Sequence, residues 1–173
     1  MKTLVRIVKW VAIVLVVIFV GIQFVRPART NPAIHQPQTI AAHTQMTEPV
    51  GKIFERACKD CHSNNTNWPW YSNVAPVSWW VIDHVNHGRS HLNYSEWGKL
   101  KPADQNKTLQ EICEEVTDGK MPLPSYLPMH PGARLSEEDK KTICDWTEAE
   151  RKRLAGEARY PAEPGLRLQG VIQ

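Results

Sequence analysis

Residues 54–72 read FERACKDCHSNNTNWPWYS, and the reading of this stretch decides the fold. Cys58, Cys61 and His62 stand at i, i+3 and i+4, so on a helix all three side chains share one face. Three chemistries use such a group. A structural zinc ion needs four ligands, usually in two close pairs, whereas the remaining cysteines, Cys113 and Cys144, are isolated in the chain. A thioredoxin-like disulfide wants its Cys-x-x-Cys after a strand in a βαβ pattern, and no such pattern is present. A covalent haem c needs what this turn offers. Two thiols add to the two vinyl groups of the macrocycle, and the adjacent imidazole becomes the proximal iron ligand.

Working outward, the flanking punctuation is helical. Thr47 caps a first predicted helix, with Pro49 in its opening turn and the run VGKIFERAC as its body. PVSWWVIDHVNHG predicts a second helix, stopped by Gly88. A third is predicted over residues 103–118, with Leu109, Ile112, Cys113 and Val116 as its buried stripe and Gly119 as its end. Ser136 and Asp139 form the start of a last helix, EEDKKTICDWTEAERKRLA. No alternating apolar-polar run of strand length occurs, so the expected fold class is all-α. No internal repeat is visible.

The ends differ from this middle region. Lys2, Arg6 and Lys9 precede a charge-free run over residues 10–25, WVAIVLVVIFVGIQFV. Extended back to Leu4 with the cations snorkelling, it reaches membrane-spanning length. The following RPARTNPA has no clean cleavage site, so an uncleaved signal-anchor over residues 1–25 is preferred to a cleaved signal peptide. The leading cations favour a cytoplasmic N-terminus, which sends the rest of the chain across the membrane, in a bacterium to the oxidising periplasm. Residues 26–46 are rich in Pro, Thr, Gln and Asn without an apolar period and read as a flexible periplasmic linker. Residues 47–155 form the expected folded domain, and residues 156–173, punctuated by Pro and Gly, a loose tail. The 173-residue chain carries a net charge of only +3 with no basic cluster, which argues against nucleic acid as a partner.

The far side of the iron decides between electron transfer and ligand binding. Met121 is the leading candidate for that position, because it follows DGK at a helix end and is stiffened by Pro122 and Pro124. Met129 and then His84 are the alternatives. His87, His91 and His130 read as surface or hydrogen-bonding residues, and His35 and His43 fall in the linker. Trp68, Trp70, Tyr71, Trp79, Trp80, Tyr94 and Trp97 are expected to wall the haem or to form ordinary core. Arg89 is a candidate partner for a propionate, or a solvated residue beyond a helix. Cys113 and Cys144, both beside apolar stripe residues in an oxidising compartment, are expected to form a disulfide.

The runs CKDCHSNNTNWPWYSNVAPVSWWVIDHVNHGRSHLNYSEW and GKMPLPSYLPMHPGARLSEEDKKTICDW resemble the haem-binding domain family of small, membrane-anchored bacterial proteins related to c-type cytochromes. The resemblance covers residues 50–150. It implies a cytochrome-c-like helical domain around one covalently bound haem, with Cys58 and Cys61 as attachment points, His62 as proximal and Met121 as distal ligand. It also implies crossing first and last helices, which Phe54 and Trp146 would suit as aromatic contacts. The unusually aromatic segment 68–97 and the long loop 121–136 depart from a minimal cytochrome c, and the loop leaves Met121 and Met129 in competition.

The expected function is that of a tethered, monomeric, monohaem carrier of single electrons between periplasmic or membrane redox partners, not an enzyme. A haem sensor with a displaceable distal ligand is the alternative. A peroxidase-like enzyme stands third, since Arg89 with His84 or His87 is its only local candidate pair.

Overall fold

The structure, a computed structural model, describes residues 1–159. Seven α-helices and four short 3-10 turns follow one another, with no strand among the described residues. They are α1 (Lys2–Ile22), α2 (Ile40–His43), α3 (Glu48–Ala57), α4 (Lys59–His62), α5 (Val77–His91), α6 (Pro102–Thr117) and α7 (Glu137–Arg159). The 3-10 turns lie at Gln36–Gln38, Trp70–Asn73, Tyr94–Lys99 and Pro131–Ala133. The all-α expectation holds.

The chain divides into two compact units. One comprises Met1–His43 with Phe54–Gly98, the other Thr44–Ile53 with the chain from Lys99 onward. The division falls within α3, between Ile53 and Phe54.

In the first unit, α1 is the one described helix long and apolar enough to cross a membrane, and none of its residues is buried. The unit's core is built from α5, whose Ser78, Ile82 and Val85 are buried, together with Phe54, Ala75, Tyr94 and Trp97. Gly88 does not stop α5, which runs one turn further to His91. A Cβ at Gly88 would stand 2.6 Å from the Cys61 carbonyl oxygen, so this glycine is a point of close helix approach.

Residues 26–46, expected as a free tether, are held down wherever the structure describes them in this unit. Arg89 donates to the Thr30 carbonyl and the Asn31 side chain, Asn31 donates to the Thr66 carbonyl, and Ile40 is buried. Gln38 and His43 pack so closely on Gly98 that a Cβ there would meet them at 2.7 and 2.4 Å. The segment lacks an apolar period because backbone carbonyls and polar side chains, not an apolar face, fasten it.

The second unit is a helical hairpin. Leu109, Ile112 and Val116 of α6 are buried, as are Ile143, Trp146 and Thr147 of α7. A disulfide joins Cys113 to Cys144 with the Cα atoms 4.9 Å apart. Helix α6 ends where Gly119 takes a φ of +69°, a conformation that disfavours a side chain. Helix α7 begins in a reciprocal box, the Asp139 carboxylate accepting from the Ser136 amide at 2.8 Å and the Ser136 hydroxyl accepting from the Asp139 amide at 3.1 Å. It continues to Arg159, past the expected boundary at 155; the rest of the expected tail lies outside the described residues. Buried Glu150 is paired with Arg153 at 2.7 Å and accepts from the Gln45 amide at 3.0 Å. Thr47 accepts the Gly51 amide at 2.9 Å and so opens α3 as the sequence predicts.

Candidate haem-attachment turn

The helix through VGKIFERAC does not pass smoothly through the cysteines. It ends at Ala57, Cys58 takes φ −124° and ψ −34°, and α4 starts at Lys59. Cys58 therefore caps the turn that holds Cys61 and His62, and its carbonyl accepts both of their amides, at 3.3 and 3.0 Å. The three side chains stay on one turn despite the break.

The sequence after His62 folds back to brace this turn. The Ser63 hydroxyl donates to the Lys59 carbonyl at 2.8 Å and the Thr66 hydroxyl to the Asp60 carbonyl at 2.7 Å. The Asn67 amide donates to the Asp60 carboxylate at 3.0 Å, and the Asn64 amide to the Ser95 hydroxyl at 3.0 Å. Ser63, Asn64 and Thr66 are buried, so each of these polar groups needs its partner. Arg89 adds bonds of 2.7 Å to the Ser63 carbonyl and 2.7 Å to the Thr66 hydroxyl. Every nitrogen of its guanidinium thus donates to this chain, either to the loop or to residues 30 and 31. Arg89 is the clamp of the loop, a role that its position after the predicted second helix did not signal.

His62 carries the most informative geometry. Its Nδ1 lies 3.1 Å from the Gly88 carbonyl oxygen and 3.0 Å from that of Leu92. Carbonyls only accept, so Nδ1 must bear the proton, and Nε2 is left with a free lone pair. Burial holds the imidazole pKa below its ordinary value, the two carbonyls opposing that effect, and so favours the neutral, ligating form. A ring fixed through one nitrogen with the other available is the arrangement found at metal-ligating histidines. No sequence signal marks Gly88 and Leu92 for this task, because a backbone carbonyl belongs to every residue.

The two thiols sit in an apolar setting. Burial pushes Cys58 up to about 12, against a hydrogen bond from Tyr94 that pulls the other way, and burial pushes Cys61 up to about 11. Tyr94 is buried, stacks on Phe54 with centroids 4.8 Å apart, and lies 5.8 Å from the His62 ring. Phe54 thus finds its aromatic partner inside the first unit.

The other expected wall residues separate by environment. Trp97 is fully buried. Trp68 and Tyr71 are half-buried, and burial, with the Asp60 carboxylate nearby, raises the Tyr71 pKa above its ordinary value. Trp79 donates its indole N–H to the Val25 carbonyl at 2.7 Å. Trp80 rests on His84 at 4.2 Å, and Trp70 is largely exposed. Met121, Met129 and Trp146 belong to the second unit. There the Met121 amide donates to the Glu115 carbonyl at 3.0 Å, which ties it to the end of α6, while Met129 is exposed. The Trp146 indole donates to the Gln45 carbonyl at 3.2 Å. Among the described residues no group of three His, Cys, Asp or Glu side chains forms a metal cluster.

An all-helical protein with an oriented, neutral histidine on a Cys-x-x-Cys-His turn falls in the class of haem proteins. The family model described as haem-binding domain matches residues 17–149, and the chain belongs to that family. The match begins within α1, so residues 26–46 lie inside the matched region. Neither the curated proteins nor the solved structures yielded a match.

Proposed function

We propose that this chain is a membrane-anchored, periplasmic c-type cytochrome that carries single electrons. One haem would be joined by thioethers to Cys58 and Cys61, with His62 as proximal ligand and Met121 as distal ligand. The observation that carries the reading is the pair of carbonyls at Gly88 and Leu92 on His62 Nδ1, with both thiols on the same turn. When bound, the haem supplies a reversible one-electron couple at its iron. The chain's own residues do the rest. Gly88 and Leu92 fix the imidazole, the SNNTN loop and Arg89 keep the turn rigid, and Tyr94 and Phe54 exclude water beside the ring. Rigid surroundings suit electron transfer, which works best when little rearranges between the oxidised and reduced forms.

Met121 is preferred over Met129 on chemistry and setting. A thioether favours ferrous iron, and Met121 is the methionine tied by its own amide to a helix end. No catalytic residue is assigned. Helix α1 would be the anchor, and the cations ahead of it favour a cytoplasmic start and a periplasmic haem domain.

Two measurements test this. Haem stain should survive in a denaturing gel for the parent chain and vanish in the Cys58→Ala/Cys61→Ala double variant; stain that persists there overturns covalent attachment. The ferric protein should be low-spin with the weak red band of iron–thioether ligation, lost in Met121→Ala and retained in Met129→Ala. High-spin ferrous haem that takes up carbon monoxide readily would replace the carrier by a ligand-binding module.

A further inference from the structure

Beyond α1, the large apolar side chains of the first unit that face solvent include Phe24 at 83% exposure, Trp70 at 71%, Trp80 at 46% and Val77 at 45%, beside Val25 and Ile34. Their place in the fold is specific. Helix α1 has 21 residues, which at the α-helical rise spans about 31 Å, the thickness of a bilayer's hydrocarbon core. As a span, α1 would bring its C-terminal end, within the charge-free run that continues to Val25, to one edge of that core. The residue after α1, Gln23, holds Ala75 from both sides of its amide, donating to the Ala75 carbonyl at 3.1 Å and accepting the Ala75 amide at 2.9 Å. Two residues on, the Val25 carbonyl accepts the Trp79 indole at 2.7 Å. The start of α5 is therefore fastened to the two or three residues that leave the membrane. Val77 and Trp80 lie within that same turn and a half, and the 3-10 turn that carries Trp70 packs against α5.

From this we infer that Phe24, Trp70, Val77 and Trp80 form an interfacial belt that rests in the headgroup layer of the membrane α1 crosses. The inference rests on α1 being a membrane span. Exposed tryptophan is unfavourable on a water-facing surface but is favoured at the membrane interface, where an apolar ring and a polar N–H are both accommodated. Arg26, whose Nε donates to the Gln23 carbonyl at 2.9 Å, follows the end of α1 directly, and guanidinium groups suit lipid phosphates. Lipid is the occupant because the patch continues directly from the end of the span. The belt would lay the first unit, with its haem turn, against the bilayer at a fixed tilt and stop it from swinging on a leash.

Spin labels on the haem-loaded full chain in nanodiscs of phosphatidylcholine and phosphatidylglycerol test this. Labels would be placed by Val14→Cys in α1, Val77→Cys in the belt and Asn86→Cys on the opposite, exposed side of α5. The parent chain, carried through the same labelling, sets the background. Collision with oxygen and with a water-soluble nickel chelate is then measured. The ratio of oxygen to nickel contact should be highest at Val14, intermediate at Val77 and several-fold lower at Asn86. A ratio at Val77 equal to that at Asn86, with Val14 still lipid-like, overturns the belt and leaves the span intact. Low contact of Val77 with both reagents would mean that protein or haem covers the patch, which also overturns it. Nickel contact at Val14 overturns the span itself, and the belt with it.

Discussion

Two glycines should answer the same substitution for unrelated reasons. Gly88→Ala drives a methyl to within 2.6 Å of the Cys61 carbonyl oxygen and 3.1 Å of its carbon, atoms of backbone that cannot swing aside. The expected cost is about 1–3 kcal/mol of overpacking, accompanied by a fall in the fraction of chains carrying haem, because the Gly88 carbonyl also holds His62. Gly119→Ala meets nothing within 4 Å, yet its φ of +69° costs an alanine about 1–2 kcal/mol. Thermal unfolding with a haem-to-protein ratio separates the two, since only Gly88→Ala should move the ratio. At this scale the placing of Cys58, Cys61 and His62 on one turn was legible from their spacing. The acceptors on His62 were not, because carbonyls leave no trace in a sequence. Gly88 was visible but misread, since its true constraint is set by Cys61, a residue far from it in the chain.

Among the elements, α6 and α7 gave the clearest signals. Their stripe, caps and terminating glycine act within a few residues of one another, and local chemistry is what a sequence displays. The disulfide between them should respond in proportion to the loop it closes. With a separation of 31 residues, the chain-entropy relation puts Cys113→Ser/Cys144→Ser at a loss of about 3–4 kcal/mol, measurable as a lower midpoint in denaturant. Asp139→Ala removes the acceptor from the Ser136 end of α7 and should cost about 1 kcal/mol, read by the same titration. The break at Cys58 was not legible, because VGKIFERACKDCH has nothing between Ala57 and Lys59 that opposes a helix. Nor was the fastening of residues 26–46. That composition cannot build an apolar core, but it can supply carbonyls and amides to Arg89, Gly98 and Asn64, and no periodicity records such pairings.

For the molecule as a whole, Arg89 is the residue on which the docking of the segment after α1 turns. Arg89→Lys keeps the charge and loses the planar fork. Forfeiting the bonds to Thr30 and Asn31 should release residues 26–33 at a cost of about 2 kcal/mol, and trypsin should then cut after Arg29, the arginine here not followed by proline, roughly tenfold faster or more in the variant than in the parent. Mass spectrometry of the fragments from the full chain checks this, and equal cleavage rates would count against the clamp. The same clamp has an order of assembly written into it. Its bonds to Ser63 and Thr66 close separations of 26 and 23 residues, whereas those to Thr30 and Asn31 close 59 and 58. The longer closures cost about 0.7 kcal/mol more in chain entropy, so the loop around His62 gathers first and the segment after α1 latches last. In the reverse direction that segment unlatches first. Breathing of the clamp therefore begins beside α1, and the turn of Cys58, Cys61 and His62 is its last part to loosen.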